Sequence, residues 1–362
     1  MAVKRVLISG YYGFGNLGDE ALLRAIVQGL RALEPAPVLT VASGDPRRTA
    51  AAHRVEAVPR TQPVELWRAI LAADLVISGG GSLLQDVTGP WNVPYYAGLM
   101  AAAELLGKPV MVFAQGIGPM RGALGRRIAR AVIDRAAAVT VRDEGSCRLL
   151  EAMGVRRPVE VVADPVFVLD FPPGPERDGS GALRIGVGLR RRGLPRGGAR
   201  VLAQAFDLLA RRRPVRVVFF AMHPEEDGPV ARDVAAGLAA PAEVHDREQS
   251  LDDVAALIAG CDLVVGMRLH ALILAALSGR PPVGISYDPK VDQFLRDAGG
   301  PLLATLPDLP PPERLAARLE AAVDQRADLA AGLGPRVAAL RRRAQRSFDI
   351  AGRLLRDLPA TL

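Results

Sequence analysis

The feature of this sequence that most constrains its fold is a regular alternation of two kinds of segment. Short β-branched or apolar runs such as VKRVLISG, DLVISGG and KPVMVFAQG alternate with stretches in which apolar residues recur every three or four positions. This alternation predicts parallel strands joined by crossover helices that cover both faces of a sheet. The pattern stops after VEVVADP and restarts at LRIGVGLR. We therefore expect two doubly wound α/β units.

A segment rich in proline, glycine and charge separates the two alternating regions. The run FPPGPERDGSG, residues 171–181, is typical of an exposed linker. A chain of 362 residues is also long for a single hydrophobic core. We predict one domain over residues 1–172, a second over residues 181–340, and a C-terminal helix over residues 341–362 that packs back on the domains.

The charge balance is a weak guide to the partner. The chain has 46 Lys and Arg against 39 Asp and Glu, and the resulting formal charge of +7 suits anionic partners. Only Lys4, Lys108 and Lys290 are lysines, and such an arginine bias commonly reflects genome composition or heat adaptation. Aromatic residues make up 4% of the chain and are not interleaved with arginines, so we expect no nucleic-acid binding.

Several classes of site have no support in the sequence. Cys147 and Cys261 lie far apart and no Cys/His cluster has ligand spacing, so we predict neither a disulfide nor a metal site. There is no GxSxG, HExxH or GxxxxGK[ST] motif. No uninterrupted apolar segment reaches about 18 residues, so we expect a cytoplasmic protein that is still able to touch a membrane surface.

The loops that follow the strands of the first half carry candidate binding residues, because ligands bind at the carboxyl ends of parallel strands. The first loop, GYYGFGNLGDEA, is a glycine-rich turn into a helix and predicts an anion cradle that includes Asn16. Asp19 in the same loop either caps the helix or takes part in the site. A later loop forms a predicted binding turn with Gly79, Gly80, Gly81 and Ser82.

Two further strand ends of the first half carry polar side chains. Gln115 ends the strand in KPVMVFAQG and is a candidate substrate contact. Arg142 stands at the tip of the strand in AAVTVRD, where its guanidinium is placed to bind a carboxylate or phosphate. A salt bridge from Arg142 to Asp143 or Glu144 is the structural alternative.

The second half carries the densest group of candidates. Arg268 and His270 lie where the strand in CDLVVGMR passes into an apolar helix, and Lys290 follows the next strand at the same predicted sheet edge. We expect these groups to converge on a ligand. His223 also ends a strand and is a candidate substrate contact, whereas His53 and His245 lie in polar stretches without convergent partners.

Six segments together resemble one family. GYYGFGNLGDEA, GGGSLLQDVTG, AQGIGP, VRDEGS and MRLHALILA with SYDPK occur in order over nearly the whole chain and are similar to bacterial polysaccharide pyruvyl transferases of the CsaB type. The resemblance implies two Rossmann-like doubly wound domains facing a cleft, as in GT-B glycosyltransferases, with C-terminal helices. It also implies transfer of a pyruvyl group from phosphoenolpyruvate to a sugar, with release of phosphate.

The resemblance further suggests the biological setting and the residue roles. The acceptor is usually an N-acetylmannosamine of a secondary cell-wall polysaccharide or its lipid-linked precursor, and the pyruvate ketal anchors S-layer proteins. His270 matches a functional histidine, expected to act as general acid or phosphate contact. Arg142 and Lys290 match functional basic positions, and Asp19 matches an acidic residue expected to act as base toward a sugar hydroxyl. No cofactor beyond the donor substrate phosphoenolpyruvate, and no metal, is expected.

Other readings of the sequence remain open. The same fold serves nucleotide-sugar glycosyltransferases, and a non-catalytic sugar- or phosphate-binding protein is a second alternative. Peripheral contact with the inner face of the cell membrane and assembly into a homo-oligomer are both compatible with the sequence. After DVTG this chain has PWNVPYY where the family usually has a polar segment, which leaves the details of acceptor recognition open.

Overall fold

A computed structural model describes residues 3–87, 89–172 and 181–358 of the chain. Its contacts divide the chain into two compact units. The first unit comprises Met1–Phe14, Asp19–Leu169 and Leu340–Leu362, and the second comprises Gly15–Gly18 and Asp170–Ala339. Most of the predicted linker, residues 173–180, lies outside the described residues.

The first unit is built on a parallel sheet of seven strands. In chain order these are β1 (Arg5–Ser9), β2 (Val38–Ser43), β3 (Glu56–Pro59), β4 (Leu75–Gly79), β5 (Val110–Gln115), β6 (Ala138–Val141) and β7 (Val159–Val161). The spatial order is β3-β2-β1-β4-β5-β6-β7. The strands are therefore added to one side of β1 first and, from β4 onward, to the other side. Every position of the central strands β4 and β5 is buried, as expected for a sheet covered on both faces.

Six crossover helices connect these strands. They are α1 (Leu17–Arg31), α2 (Pro46–His53), α3 (Pro63–Ala72), α4 (Asn92–Leu105), α5 (Ala123–Ile133) and α6 (Glu144–Ala152), and a single 3-10 turn (Pro165–Val168) follows β7. Their apolar faces pack on the sheet in two clusters of buried residues, one on each side of it.

The second unit repeats this design with six parallel strands. They are β8 (Leu183–Gly188), β9 (Val215–Phe220), β10 (Ala242–His245), β11 (Leu263–Gly266), β12 (Pro282–Ser286) and β13 (Leu302–Thr305), in the spatial order β10-β9-β8-β11-β12-β13. The helices of this half are α7 (Gly198–Ala210), α8 (Pro224–Ala236), α9 (Leu251–Ala259), α10 (Leu269–Leu277), α11 (Pro289–Ala298) and α12 (Pro312–Asp324). Two parallel sheets with helices confirm the predicted α/β class.

A long final helix, α13 (Arg326–Asp357), contributes to both units in turn. In the first unit its fully buried Phe348 packs edge-on against Phe113 of β5, with ring centroids 5.0 Å apart. Arg341 of the same helix donates to the carbonyl oxygens of Phe167 and Leu169, both at 3.0 Å. Within the described ranges, no helix combines the length and the apolar character needed to cross a membrane.

The strands β3, β10 and β13 and the helices α2, α8 and α11 were not identified from the sequence. Strands β3 and β10 are short and only partly buried, so their apolar signal is weak. The short edge strand β13 was missed as well. Helices α2, α8 and α11 each begin with a proline in the first turn, behind the capping residues Asp45, His223 and Asp288. A capping residue followed by proline is typical of a helix start, and it is the sequence signal by which these helices could be identified.

Candidate functional site

Helix α1, which follows the glycine-rich loop after β1, is capped by Asn16 rather than by Asp19. Helix α1 begins at Leu17, and the Asn16 side-chain oxygen accepts a hydrogen bond from the Gly18 amide at 3.0 Å. Asp19 therefore lies inside the first turn, which corrects the interpretation of Asp19 as the cap. Its Oδ1 lies 3.3 Å from the point where a side chain at Gly81 would begin, so the carboxylate faces the second glycine loop.

A buried tyrosine joins these two loops. Tyr12 is almost fully buried and its hydroxyl donates to the Gly79 carbonyl oxygen at 2.7 Å. Burial raises the pKa of Tyr12 well above its usual value, and the nearby Asp19 carboxylate raises it further. The hydroxyl therefore stays protonated as a fixed donor between the β1 and β4 loops.

A hydrogen bond behind the loop corrects the prediction for His53. Glu20 Oε1 accepts from the Gly13 amide at 2.9 Å, and Glu20 Oε2 lies 3.1 Å from His53 Nε2. His53 is mostly buried and does have a convergent partner, which the sequence interpretation had excluded. Because its partner comes 33 residues earlier, on α1, sequence proximity could not reveal it.

The glycine turn after β4 meets Arg142 from β6, as the shared sheet edge predicts. Gly80 and Gly81 have φ angles of +67° and +70°, a region that favours glycine. Arg142 donates to Ser82 Oγ at 2.9 Å. A side chain at Gly116 would begin only 2.5 Å from the Arg142 guanidinium, so glycine there leaves the space that Arg142 occupies.

Carboxylates compensate the charge of Arg142. Its guanidinium donates to Asp164 at 3.3 Å, and both side chains are 5% exposed. Asp143 lies 3.6 Å away, so the predicted salt bridge to that residue also forms. Asp164, which follows β7, was missed, although inspection of every strand end would have found it.

Gln115 is more enclosed than a substrate contact would suggest. It is fully buried, and its amide nitrogen donates to the Ser78 carbonyl at 2.8 Å and to the Ser78 hydroxyl at 2.7 Å. The Gln115 side chain therefore links the carboxyl ends of β4 and β5 by hydrogen bonds and has a structural role.

In the second unit, Arg268 is held by two carboxylates from the start of α8. It forms a two-point contact with Asp227, at 2.7 and 2.6 Å, and donates to Glu226 at 2.8 Å. Burial lowers the pKa of Arg268, but the paired carboxylates outweigh this and leave it raised. Asp227 also accepts from the amides of Met222 and His223, at 3.2 and 3.0 Å. This network fixes the direction of the guanidinium.

His270 lies in the first turn of α10, directly after Arg268 and Leu269. Its imidazole rests on the backbone of Gly18, where an added side chain would begin 2.3 Å from Nδ1. The Leu17 amide donates to the Met222 carbonyl at 2.8 Å, which holds the Gly15–Gly18 segment in this unit. Glycine at position 18 is therefore what lets the ring occupy this place.

Lys290 lies in the first turn of helix α11, which follows β12. Its Nζ lies 3.2 Å from Asp288 Oδ2 and 5.8 Å from the centre of the Tyr287 ring.

Arg190 contacts the same ring. It donates to the Tyr287 hydroxyl at 2.9 Å, and its guanidinium carbon lies 5.1 Å from the ring centre. Arg190 follows β8 and was missed, although the rule applied to the other strand ends would have found it. No carboxylate of the described residues lies at ion-pair distance from Arg190.

His223 serves as a helix cap in the structure. Its Nδ1 accepts from the Glu226 amide at 3.4 Å, and its own amide donates to Asp227.

The structure thus gathers Asp19, Ser82 and Arg142 in the first unit. In the second unit Arg268, His270 and Lys290 lie at the ends of the neighbouring strands β11 and β12. Within residues 3–87, 89–172 and 181–358, no cluster of three His, Cys, Asp or Glu side chains is arranged to hold a metal ion.

The family model of the polysaccharide pyruvyl transferases matches residues 16–289, which is well over half of the chain. The chain belongs to the polysaccharide pyruvyl transferase family. It is 25% identical over 257 residues to the amylovoran biosynthesis protein AmsJ of Erwinia amylovora, in a match covering 64% of this chain and 61% of that protein. The chain therefore spans less than two thirds of the length of this curated relative.

Solved structures support the fold. HepE of Anabaena, in complex with UDP and glucose, is 14% identical, with a TM-score of 0.66 over 99% of this chain and 100% of that chain. MnaA of S. aureus, solved with UDP, is 10% identical, with a TM-score of 0.68 over 99% and 100%. At these identities the likeness concerns the fold, and it confirms two Rossmann-like domains of the GT-B kind.

Proposed function

We propose that this protein transfers the pyruvyl group of phosphoenolpyruvate to a saccharide and releases phosphate. The observation that carries the proposal is the family match, which includes Asp19, Arg142 and His270. Lys290 follows one residue after the matched range. Arg142 stands directly after β6, and the other three lie in the first turns of helices that follow strands, on the side of the sheet where ligands bind.

The reaction defines what the site must supply. The bond between C2 of the donor and the phosphate oxygen breaks, and two sugar hydroxyls form new bonds to C2. One hydroxyl proton ends on C3, which becomes a methyl group, and the other leaves with the phosphate. The protein must therefore provide a base for a hydroxyl, an acid near C3 or the phosphate, and cations for the two anionic groups.

The charged residues suit these tasks. We assign His270 to proton donation or phosphate contact, and Asp19 to the base that activates a sugar hydroxyl. Arg142 and Lys290 supply positive charge, each oriented by a neighbouring carboxylate. Such fixed cations stabilise developing charge without reorganisation during the reaction.

Arg268 and Arg190 extend the cationic set of the second unit. Arg268 is already fixed by Asp227 and Glu226. Arg190 stands over the Tyr287 ring that also faces Lys290. We assign Arg190, together with Lys290, to the carboxylate or phosphate of the donor.

The acceptor we propose is a cell-wall saccharide of the CsaB kind, an N-acetylmannosamine unit in a polymer or a lipid-linked precursor. A chain with a formal charge of +7 suits work at an acidic lipid surface, where a lipid-linked precursor would reside. The enzyme would then act at the cytoplasmic face of the membrane, and the ketal would supply the anionic group that S-layer proteins recognise.

The test is phosphate release from phosphoenolpyruvate, with and without a synthetic lipid-linked N-acetylmannosamine acceptor. We expect acceptor-dependent release by the wild type and a loss of at least about 100-fold in His270→Ala, the size typical of general acid–base catalysis. His245→Ala removes a histidine paired with Glu243 on β10 and is the control, expected to keep wild-type activity. No release, combined with binding of a nucleotide sugar, would instead favour a glycosyltransferase.

A further inference from the structure

The aromatic residues of this chain are few, yet several gather at one place. Aromatic residues are 4% of the sequence. Tyr11 and Phe14 follow β1, and Tyr95 and Tyr96 lie in the first turn and a half of α4. All four surround Arg60, which follows β3. We call these five residues the aromatic platform; they lie at the carboxyl edge of the first sheet.

The outer part of the aromatic platform is a stacked and exposed pair of rings. The ring centres of Tyr11 and Phe14 are 4.3 Å apart and their planes differ by 13°. Tyr11 is 42% exposed and Phe14 is 38% exposed. Two apolar rings thus remain in contact with water beside a predicted ligand-binding edge, which is typical of a binding surface.

Arg60 forms the polar part of the aromatic platform. Its guanidinium carbon lies 4.3 Å from the ring centre of Tyr95 and 5.3 Å from that of Phe14, and it donates to the Tyr96 hydroxyl at 3.2 Å. The Tyr95 hydroxyl donates in turn to the Arg60 carbonyl at 2.9 Å. Among the residues that the structure describes, no carboxylate is ion-paired with Arg60. The guanidinium therefore keeps donors for a ligand.

The local backbone is shaped to hold Phe14 in this position. A side chain at Gly44 would begin 2.6 Å from the Phe14 ring, so the ring lies directly on the Gly44 backbone. Gly13, with a φ of +79°, turns the loop, and the Gly44 amide donates to the Tyr12 carbonyl at 2.9 Å. The loop after β1 is thus tied to the end of β2.

The aromatic platform lies close to the proposed base. Burial raises the pKa of Tyr96, Arg60 lowers it, and the Asp19 carboxylate raises it again, so Asp19 is within electrostatic reach of the ring. Asp19 acts in the same way on Tyr12, the neighbour of Tyr11. The exposed faces of two stacked rings match the apolar C–H face of a sugar, a neutral ligand whose hydroxyl groups could then lie near this proposed base.

We propose that the aromatic platform binds a pyranose ring of the acceptor saccharide. The apolar C–H face of the sugar would pack on the Tyr11–Phe14 pair, and Arg60 would donate to its oxygen atoms. This inference rests on the proposed function, since it places the acceptor hydroxyls near Asp19. The occupant to which it commits is a neutral saccharide, as opposed to a nucleotide.

The test compares kinetics for the two substrates in matched variants. Phe14→Leu removes the stacked ring and Phe14→Tyr keeps an aromatic ring at that position. Gly44→Ala displaces the Phe14 ring without removing it. We expect Phe14→Leu and Gly44→Ala to raise the KM for the acceptor about tenfold and to change the KM for phosphoenolpyruvate by less than about twofold. Phe14→Tyr should keep the acceptor KM of the wild type. Trp67→Leu removes an exposed aromatic ring from α3 and is the control.

A binding measurement separates this inference from the proposed function. Saturation-transfer NMR with an N-acetylmannosamine disaccharide, recorded without phosphoenolpyruvate, should give a signal in the wild type and in Trp67→Leu that is lost in Phe14→Leu. That result supports the aromatic platform even if no pyruvyl transfer is found. An unchanged signal in Phe14→Leu would overturn it, and so would loss of UDP binding in that variant with saccharide binding intact.

Discussion

At the scale of single residues, Arg268 is oriented by two carboxylates from another element, the first turn of α8. Asp227 is 1% exposed and holds Arg268 by two hydrogen bonds, while it also accepts from two backbone amides. Glu226 holds the same guanidinium from a side chain that is 54% exposed. The two acids therefore serve one arginine in very different surroundings.

This difference predicts unequal effects of neutralising each acid. Asp227→Asn should lower the free energy of unfolding by about 2–4 kcal/mol, because it leaves a buried arginine without its charged partner. Glu226→Gln should cost less than about 1 kcal/mol, because water replaces the lost contact. Urea unfolding of both variants measures the difference, and equal losses would show that burial does not control the strength of this network.

The residue scale also shows what sequence reasoning can and cannot supply for the site. The rule that ligands bind at strand ends selected Asp19, Arg142 and His270, and the structure has Arg142 directly after β6 and the other two in the first turns of α1 and α10. It did not supply the pairing of Arg142 with Asp164, because the two residues lie 22 positions apart in the chain and meet only after β6 and β7 align. The capping role of Asn16 was missed because a single residue in the loop decides where α1 begins.

At the scale of elements, two glycines inside helices have opposite surroundings. In α1, a side chain at Gly29 would begin 2.2 Å from the ring of Phe348, which is fully buried and cannot move aside. In α4, nothing lies within 4 Å of the position that a side chain at Gly98 would occupy, and Gly98 faces solvent. One glycine is required by helix packing, and the other weakens its helix.

The same substitution should therefore have opposite signs at these two positions. Gly29→Ala should destabilise the first unit by about 1–3 kcal/mol through overpacking against Phe348. Gly98→Ala should stabilise it by about 0.5–1 kcal/mol, because alanine restricts the unfolded chain and favours the helix. Thermal unfolding reports both shifts, and a gain in stability from Gly29→Ala would contradict the packing described for α1 and α13.

Elements with full hydrophobic periodicity were predictable and short edge elements were not. Residues 63–72 and 269–277 were predicted to be helices, and the structure has α3 and α10 there, because α3 carries a periodic apolar pattern and α10 is apolar almost throughout. Strand β10 has one exposed and three half-buried positions, so its sequence gives little signal. It forms because β9 offers a free edge with matching register, a tertiary cause that no local pattern contains.

At the scale of the whole molecule, α13 divides its buried side chains between the two units. Phe348 belongs to the core of the first unit, with Ile350, Ala351 and Leu355. Leu333, on an earlier turn of the same helix, is 2% exposed and belongs to the second unit. Helical periodicity over this stretch was visible in the sequence, but which turns serve which core depends on the folded contacts.

Truncation of either side chain should therefore loosen one sheet and spare the other. Phe348→Ala should cost about 3–5 kcal/mol and Leu333→Ala about 2–5 kcal/mol, the range for large-to-small changes in a core. Hydrogen exchange should accelerate in β1 and β5 for Phe348→Ala, and within the second unit for Leu333→Ala, because exchange reports local opening of each cooperative unit. If each variant accelerated exchange equally in both sheets, the two units would be unfolding as one, and the division of α13 between two cores would have no energetic meaning.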